Sequence, residues 1–366
     1  MAGLTEDTGM PPSGDVRVDA SALCLAVASC ARAAGVGDDA AQAMADHIVE
    51  AHLRGIETHG LRRLRPYLDR VAAGGVAAGT QPVIERGGAL LRIDGANGIG
   101  HHVAAVAADA VAEAARTHGV AVGLVRNSNH FGFAGYYAAR MAASGMLAVV
   151  TSNGQVMVGP DGALRPLLSN DPLAICAPYA DGTMFELDMA LSVTSRQNIV
   201  RAAALGTPIS EGTALDAQGR ATTDADAALA GVLLAFGGAR GFALLTAIEV
   251  ITGVLTGGAY ADLVASKEAS PATPEGTAHF MLAISLEQAG GSEGFSTRLA
   301  DLAHRLETLP VREGAAQPRP PGKRRWQLRS ERLAEGIPLA AQECEDLRAL
   351  CTRLAVDAPA TKPQPA

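Results

Sequence analysis

The chain has 366 residues, 48% of them hydrophobic and 19% charged, with a formal net charge of −8. That length suits two or three domains rather than one small one. The acidic balance argues against nucleic acid, whose phosphates call for a surplus of lysine and arginine on one face. No segment free of charges and helix breakers is long enough to cross a membrane.

Residues 1–16 and 356–366 are rich in Pro, Gly and Thr and are expected to be disordered. The N-terminus shows neither the basic nor the apolar region of a secretory signal. Cys24, Cys30, Cys176, Cys344 and Cys351 lack metal-ligand spacing and read as reduced thiols. A cytoplasmic enzyme is the expectation. Asp19 is placed to cap a first helix, Asp38 opens a second, and a third follows His59. Residues 81–93 read as two short strands around Arg86-Gly87-Gly88. A helix over 101–117 and the buried strand VAVGLV come next, then a helix over 133–143 and the strand MLAVVTS. The segments LLSNDPLAICAP and TMFELDMA read as strands joined by tight turns. Arg240 to Gly257 reads as one long, nearly all-apolar helix, suited to a core or a subunit interface. HFMLAIS is another strand, followed by a helix over 295–308. After the Pro/Gly-rich basic connection 310–325, helices over 326–335 and 340–353 close the chain. The expected partition is a helical domain of 17–80 with 325–355, a small α/β domain of 81–127 with 309–324, and a cofactor-binding domain of 128–308.

Five stretches invite a chemical reading. THGLRRLRPY sets His59 beside Arg62, Arg63 and Arg65, with Tyr67 following. A solvated helix face would more often interleave acids; an anion site with a proton donor beside it has this composition. GANGIG, Gly95 to Gly100, lies where a Rossmann phosphate loop would, but its glycine order is G-x-x-G-x-G and no ribose-binding acid follows the next strand. A glycine turn opening a helix is the preferred reading. His101 and His102 point about 100° apart on a helix with no further ligand at metal spacing, so they read as helix surface and no metal is expected. RNSNHFGFAGYYA ends a strand, then opens a helix whose first amides are free to meet an anion. Its His130 can equally be a hydrogen-bonded core residue. Asp188, at the end of the strand in FELDMALS, is either a cap for Leu191 to Ser195 or the partner of a histidine.

In order, these stretches resemble the type 2 malate/L-lactate dehydrogenases, NAD(P)-dependent reductases of 2-oxo acids and cyclic imino acids. THGLRRLRPY resembles S-H-G-x-x-R-x-x-x-Y, IDGANGIG resembles D-G-x-x-G-x-G, and NSNHFGFAGYYA resembles N-S-x-H-F-G-x-x-x-Y-Y. FELDMALS is similar to L-D-M-A-T-S, and GGARGFALLTAIEVITGVLTG to G-G-x-K-G-x-x-L…E-x-L-x-G-x-L-T-G. The resemblance implies an α/β, non-Rossmann fold: a mostly antiparallel seven-stranded cofactor sheet and a helical domain built from both chain ends. It implies a homodimer acting on a small carboxylate. It makes His59 the proton donor, assisted by Thr58 and Asp188, with Arg63, Tyr67 and His130 by the substrate. His130, Phe131 and Gly132 then lie along the nicotinamide, with Asn170, Ser192, Arg240, Gly322 and Lys323 further along the cofactor.

The residue types fit that chemistry. Hydride delivery to a carbonyl or imine carbon leaves charge that a nearby acid must quench, and histidine titrates near neutrality. Arg63 can clamp a carboxylate with two parallel hydrogen bonds, while Arg62 and Arg65 are expected to face solvent. The departures fall along the cofactor path. An amide becomes Asp171, Gly-Lys becomes Gln197-Asn198, the lysine of G-x-K-G becomes Arg240, and the acid of P-G-E becomes Lys323. They move positive charge towards the Pro/Gly-rich loop and lean the expected cofactor, NADP or NAD, to NADPH. The competing reading is an enzyme of this fold doing non-redox acid–base chemistry on a carboxylate, with cofactor use altered or lost.

Overall fold

The computed structural model describes residues 16–266 and 269–363. Residues 1–15, expected to be disordered, lie outside them. The chain divides into two compact units, one comprising residues up to Ala72 and from Arg324 onward, the other Ala73 to Lys323.

The first unit opens with the short strand β1 (Val16–Val18) and two helices, α1 (Ala20–Ala33) and α2 (Asp38–Leu53). Asp19 caps α1 as expected, accepting from the Ser21 and Ala22 amides at 2.9 and 3.0 Å. Small buried residues on both helices, Ala28, Ala31, Ala41 and Ala45 among them, suit the close contact of α1 with α2. Two single 3₁₀ turns, Glu57–His59 and Leu61–Arg63, precede α3 (Leu64–Ala72).

The second unit is built on a seven-stranded sheet. Its early elements are β2 (Val83–Gly87), β3 (Leu90–Asp94), α4 (Gly100–His118), β4 (Val120–Ser128), α5 (Ala134–Ala142) and β5 (Met146–Ser152). There follow β6 (Val158–Gly159), β7 (Leu173–Pro178), β8 (Met184–Met189), α6 (Arg196–Leu205), β9 (Ala214–Leu215), β10 (Ala221–Thr222), α7 (Ala225–Leu229) and β11 (Val232–Leu234). The unit ends with α8 (Ala239–Glu249), β12 (Thr277–Ser285) and α9 (Ser292–Glu307). The large sheet runs β2-β3-β4-β12-β5-β7-β8, and only β3 and β4 are parallel. A second sheet of order β10-β9-β11-β6 surrounds a core that includes Val158, Leu191, Ile199, Leu233 and Leu245. The chain re-enters the first unit through α10 (Lys323–Glu335), β13 (Ile337–Leu339), α11 (Ala341–Leu354) and β14 (Thr361–Pro363).

Four details differ from the sequence reading. Strands β2 to β4, assigned there to a small domain of their own, are part of the large sheet, because β4 hydrogen-bonds β12 along its whole length. Thr361–Pro363, in the tail expected to be disordered, pairs with the open edge of β1. His101 and His102 are buried rather than on a helix surface, at 1% and 6% exposure. Helix α4 is covered by β4, β12 and α5, and His102 Nε2 meets Gln81 Oε1 at 2.6 Å. The helix expected from Arg240 to Gly257 changes winding at Glu249, where Val250–Val254 form a π-type turn. Two causes are visible there. The Thr252 hydroxyl donates back to Ile248 O at 2.7 Å, and Gly253 packs where any Cβ would sit 2.6 Å from Ala259 O.

Candidate active site

In the first unit the candidate chemistry lies on the two 3₁₀ turns after α2. His59 N donates to Ile56 O at 2.9 Å and Arg63 N to Gly60 O at 2.9 Å, so the two turns stack in series. Thr58 Oγ1 lies 3.0 Å from His59 Nδ1, which orients the ring, and Arg63 Nε donates to Thr58 O at 3.0 Å. With Nε occupied, the two terminal nitrogens of Arg63 remain for a carboxylate. Tyr67, four residues on, follows Arg63 along one side of the emerging helix. His59, Arg63 and Tyr67 are half-buried, whereas Arg62 and Arg65 are exposed, as the sequence reading had it. Arg65 also finds the acid of a solvated face, Asp69, one turn later at 3.5 Å.

In the second unit Asp188 stands on the edge strand β8, opposite Ala174 of β7, and is half-buried. It does not cap the following helix: Ser195 does, accepting from Asn198 N. Glu186, two residues earlier, shares its face of the strand and is 2% exposed. A Cβ on Gly135 of α5 would lie 2.8 Å from Glu186 Oε1 and 2.9 Å from Asp188 Oδ2, so only glycine admits both carboxylates under that helix. Sequence reading overlooked Glu186; period-two alternation in FELDM was the available signal. Pro321 O accepts from the Glu186 amide at 3.2 Å, and Gly322, at φ +86°, lies flat on the Glu186 backbone.

The loop between β4 and α5 holds His130, Phe131 and Gly132. The His130 amide donates to Glu275 Oε2 at 3.2 Å, and its Nδ1 accepts from Gly132 N at 3.3 Å. Phe131 is 3% exposed, stacked between Tyr137 (5.0 Å) and His279 (4.4 Å). Any ligand contact from Phe131 therefore comes through its backbone. His279, unremarked in the sequence, sits between Ser152 Oγ and Ser128 Oγ, each at 2.8 Å, and burial pushes its pKa down to about 3. GANGIG acts as a structural turn: Asn129 Nδ2 donates to Asn97 O and Gly98 O, tying it to the β4–α5 loop.

Backbone bonds set Asn170 beside the Leu191–Ser192 segment, and that segment beside Phe236, four residues before Arg240. Leu191 N donates to Asn170 O at 2.8 Å, and Phe236 N to Leu191 O at 2.8 Å. The Ser192 hydroxyl is turned to Thr194 O at 2.7 Å. Gly238, with φ +62° and ψ −131°, precedes α8 without a side-chain cap, so the first amides of α8 are open beside the exposed Arg240. That donor set fits an anionic, phosphate-bearing ligand. Lys323 is not a free cation: its ammonium pairs with Glu307 of α9. Asp171 is fully buried, and neither carboxyl oxygen has a hydrogen-bond partner. Burial, and then the charge of Glu249, hold its carboxyl well above the usual carboxylate range, only partly offset by nearby Ser169 and its own amide. Glu249 is raised too, by burial, against the amides of Ala261 and Asn153 that it accepts from.

The match to known proteins covers both units. The malate/L-lactate dehydrogenase family model aligns with residues 18–348. The chain belongs to the malate/L-lactate dehydrogenase family. A malate dehydrogenase of Pyrococcus abyssi is 29% identical over 88% of this chain and 90% of that protein. A (2R)-3-sulfolactate dehydrogenase (NADP(+)) of Chromohalobacter salexigens is 34% identical over 89% and 95%. The solved delta1-piperideine-2-carboxylate reductase of Pseudomonas syringae pv. tomato superposes with a TM-score of 0.83 at 29% identity, covering 91% of this chain and 99% of that one. The chain is, with its family, an NAD(P)-dependent oxidoreductase. Among the described residues no helix is long and apolar enough to cross a membrane.

Proposed function

We propose that this malate/L-lactate dehydrogenase family member interconverts a small 2-oxo acid, or cyclic 2-imino acid, with its reduced form, and that His59 donates the proton. The carrying observation is the 3₁₀ pair in which Thr58 orients the His59 ring while Arg63, tied to Thr58 O, presents its fork. A nicotinamide dinucleotide supplies or accepts the hydride when bound. The chain's own part is to anchor the substrate carboxylate through Arg63 and Tyr67 and to deliver a proton from His59 to the oxygen or nitrogen gaining charge. Asp188 is the carboxylate proposed to steady the imidazolium formed in the reverse direction. His130 and Gly132 flank the nicotinamide; Asn170, Ser192, Arg240 and Gly322 follow the rest of the cofactor. The proposed lean to NADPH rests on the run Lys323-Arg324-Arg325 and not on Lys323 alone, since Glu307 neutralises that ammonium.

The protein is proposed to work as a homodimer. Leu244, Val250, Val254 and Leu255, spaced along α8 and the turn after it, are 41–55% exposed and form an apolar stripe unsuited to water. A panel of 2-oxo acids carrying carboxylate, sulfonate or alkyl groups, with cyclic imino acids alongside, tests the function by oxidation of NADPH or NADH. Turnover of one class with either cofactor is the expected result; no turnover and no cofactor binding by folded protein would overturn it.

A further inference from the structure

His52 closes the last full turn of α2 and is completely buried. Its Nε2 accepts from the Leu61 amide at 2.9 Å. That amide belongs to the second 3₁₀ turn, between His59 and Arg63. The preceding Gly60 lies directly on the imidazole: a Cβ there would be 2.7 Å from His52 Cδ2 and closer still to Nε2. On the other side of the residue, Arg332 of α10 donates to His52 O and places Nη2 3.6 Å from Glu57, the first residue of the turn carrying His59. The same histidine is therefore held by α10 through its carbonyl and holds the catalytic turn through its ring.

An acceptor role needs an unprotonated Nε2, with the proton on Nδ1. Burial first, and then the positive charges of Arg332 and Arg62, push the His52 pKa down to about 3. The ring therefore stays neutral around neutral pH, and the anchor is indifferent to a proton moved by His59.

We propose that His52 is a positioning residue, a neutral imidazole that fixes the turn bearing His59 and Arg63 by accepting the Leu61 amide. The proposal rests on the reading of His59 as proton donor and names the device that keeps it in place. The anchor matters because the Leu61 amide it holds lies between His59 and Arg63, so a shift of that amide moves the turns that carry both.

His52→Leu keeps bulk and removes the acceptor; His52→Gln offers an oxygen where Nε2 stood. The leucine variant is expected to lose roughly tenfold to a hundredfold in kcat, the range for orphaning a buried amide, with cofactor affinity unchanged. Amide hydrogen exchange at Leu61 to Arg63 is expected to quicken by at least about tenfold over the same range of effects. His52→Gln is expected to restore both. Parental kcat and parental exchange in His52→Leu would overturn the proposal. So would a folded His52→Gln that rescues neither, because bulk alone would then be what His52 supplies. Exchange is read without turnover: if His59→Ala proves fully active, the proton-donor reading fails while exchange still decides whether His52 anchors the turn.

Discussion

Asp171→Asn changes one atom in a fully buried side chain with no hydrogen-bond partner. Asparagine has the same shape, offers a donor at every pH and carries no charge for Glu249 to repel. The folded chain holds the Asp171 proton well above the ordinary carboxylate range, through burial and then Glu249, whereas the unfolded chain releases it near pH ~3.9. Between those limits the native state binds one more proton than the unfolded state, so stability falls as pH rises. Asp171 thus costs nothing relative to Asn near pH ~4, and its cost grows through neutrality until its folded pKa is passed. Each pH unit above the unfolded value costs the parent about 1.4 kcal/mol until the folded pKa is reached, so Asp171→Asn is expected to gain on the parent by about that much per unit as the pH rises. For a unit of this size each kcal/mol is about 2–4 °C in Tm. Thermal melts of parent and variant across a pH series would show the two curves meeting in acid and separating in base. Parallel curves would refute the reasoning, and would mean that a bound cation or ordered water satisfies the carboxylate.

His59→Ala is expected to lower kcat by at least about 10²-fold while cofactor affinity holds; equal turnover would remove His59 from the mechanism. Arg63→Lys should chiefly raise the substrate KM, since an ammonium cannot make the paired bonds of a guanidinium, and unchanged kinetics would return Arg63 to a structural part. Val254→Glu, in the exposed apolar stripe, should turn a dimer into single 37.3 kDa chains by light scattering, and a parent already of that mass would end the dimer reading. Lys323→Glu leaves Glu307 facing a like charge, so it should weaken NADPH and NADH binding alike; a loss confined to NADPH would show Lys323 reading the extra phosphate.

Much of this architecture is legible in the sequence because burial imposes periods that strands and helices keep. VAVGLV, MLAVV and FMLAI are unbroken apolar runs because β4, β5 and β12 are the centre of the sheet. Asp19 announced α1 because its oxygen has nowhere better to go than the two amides that it accepts. What stayed hidden depends on contacts remote in sequence. His101 and His102 look like surface until β4, β12 and α5 close over α4. His52 looks like another helical histidine; its spacing from Ala41, Ala45 and Ile48 marks the buried side of α2, but no local pattern shows that its ring holds the turn that starts nine residues on. Phe131 reads as a ligand contact in its motif, and only the stacking partner His279, from β12, reveals it as core.

The substituted cofactor residues show the same limit in terms of charge. Counted along the chain, Asp171 adds a negative charge, Asn198 removes a positive one and Lys323 adds one back. The fold cancels two of the three. Burial and then Glu249 hold the Asp171 carboxyl well above the usual carboxylate range, which works against its charge, and Lys323 spends its charge on Glu307. Asn198 does not leave a gap either, since its amide bonds Thr194 Oγ1 at 3.2 Å at the start of α6, where Arg196 is exposed. Along the proposed cofactor path the exposed cations of the second unit include Arg240 and Arg196, and Arg324 follows Lys323 in the chain; all three are arginine. Arginine's fork matches phosphate oxygens in pairs and a point charge does not. Cofactor preference in this chain should accordingly respond to arginine-to-lysine exchange at these positions more than to any change at Lys323.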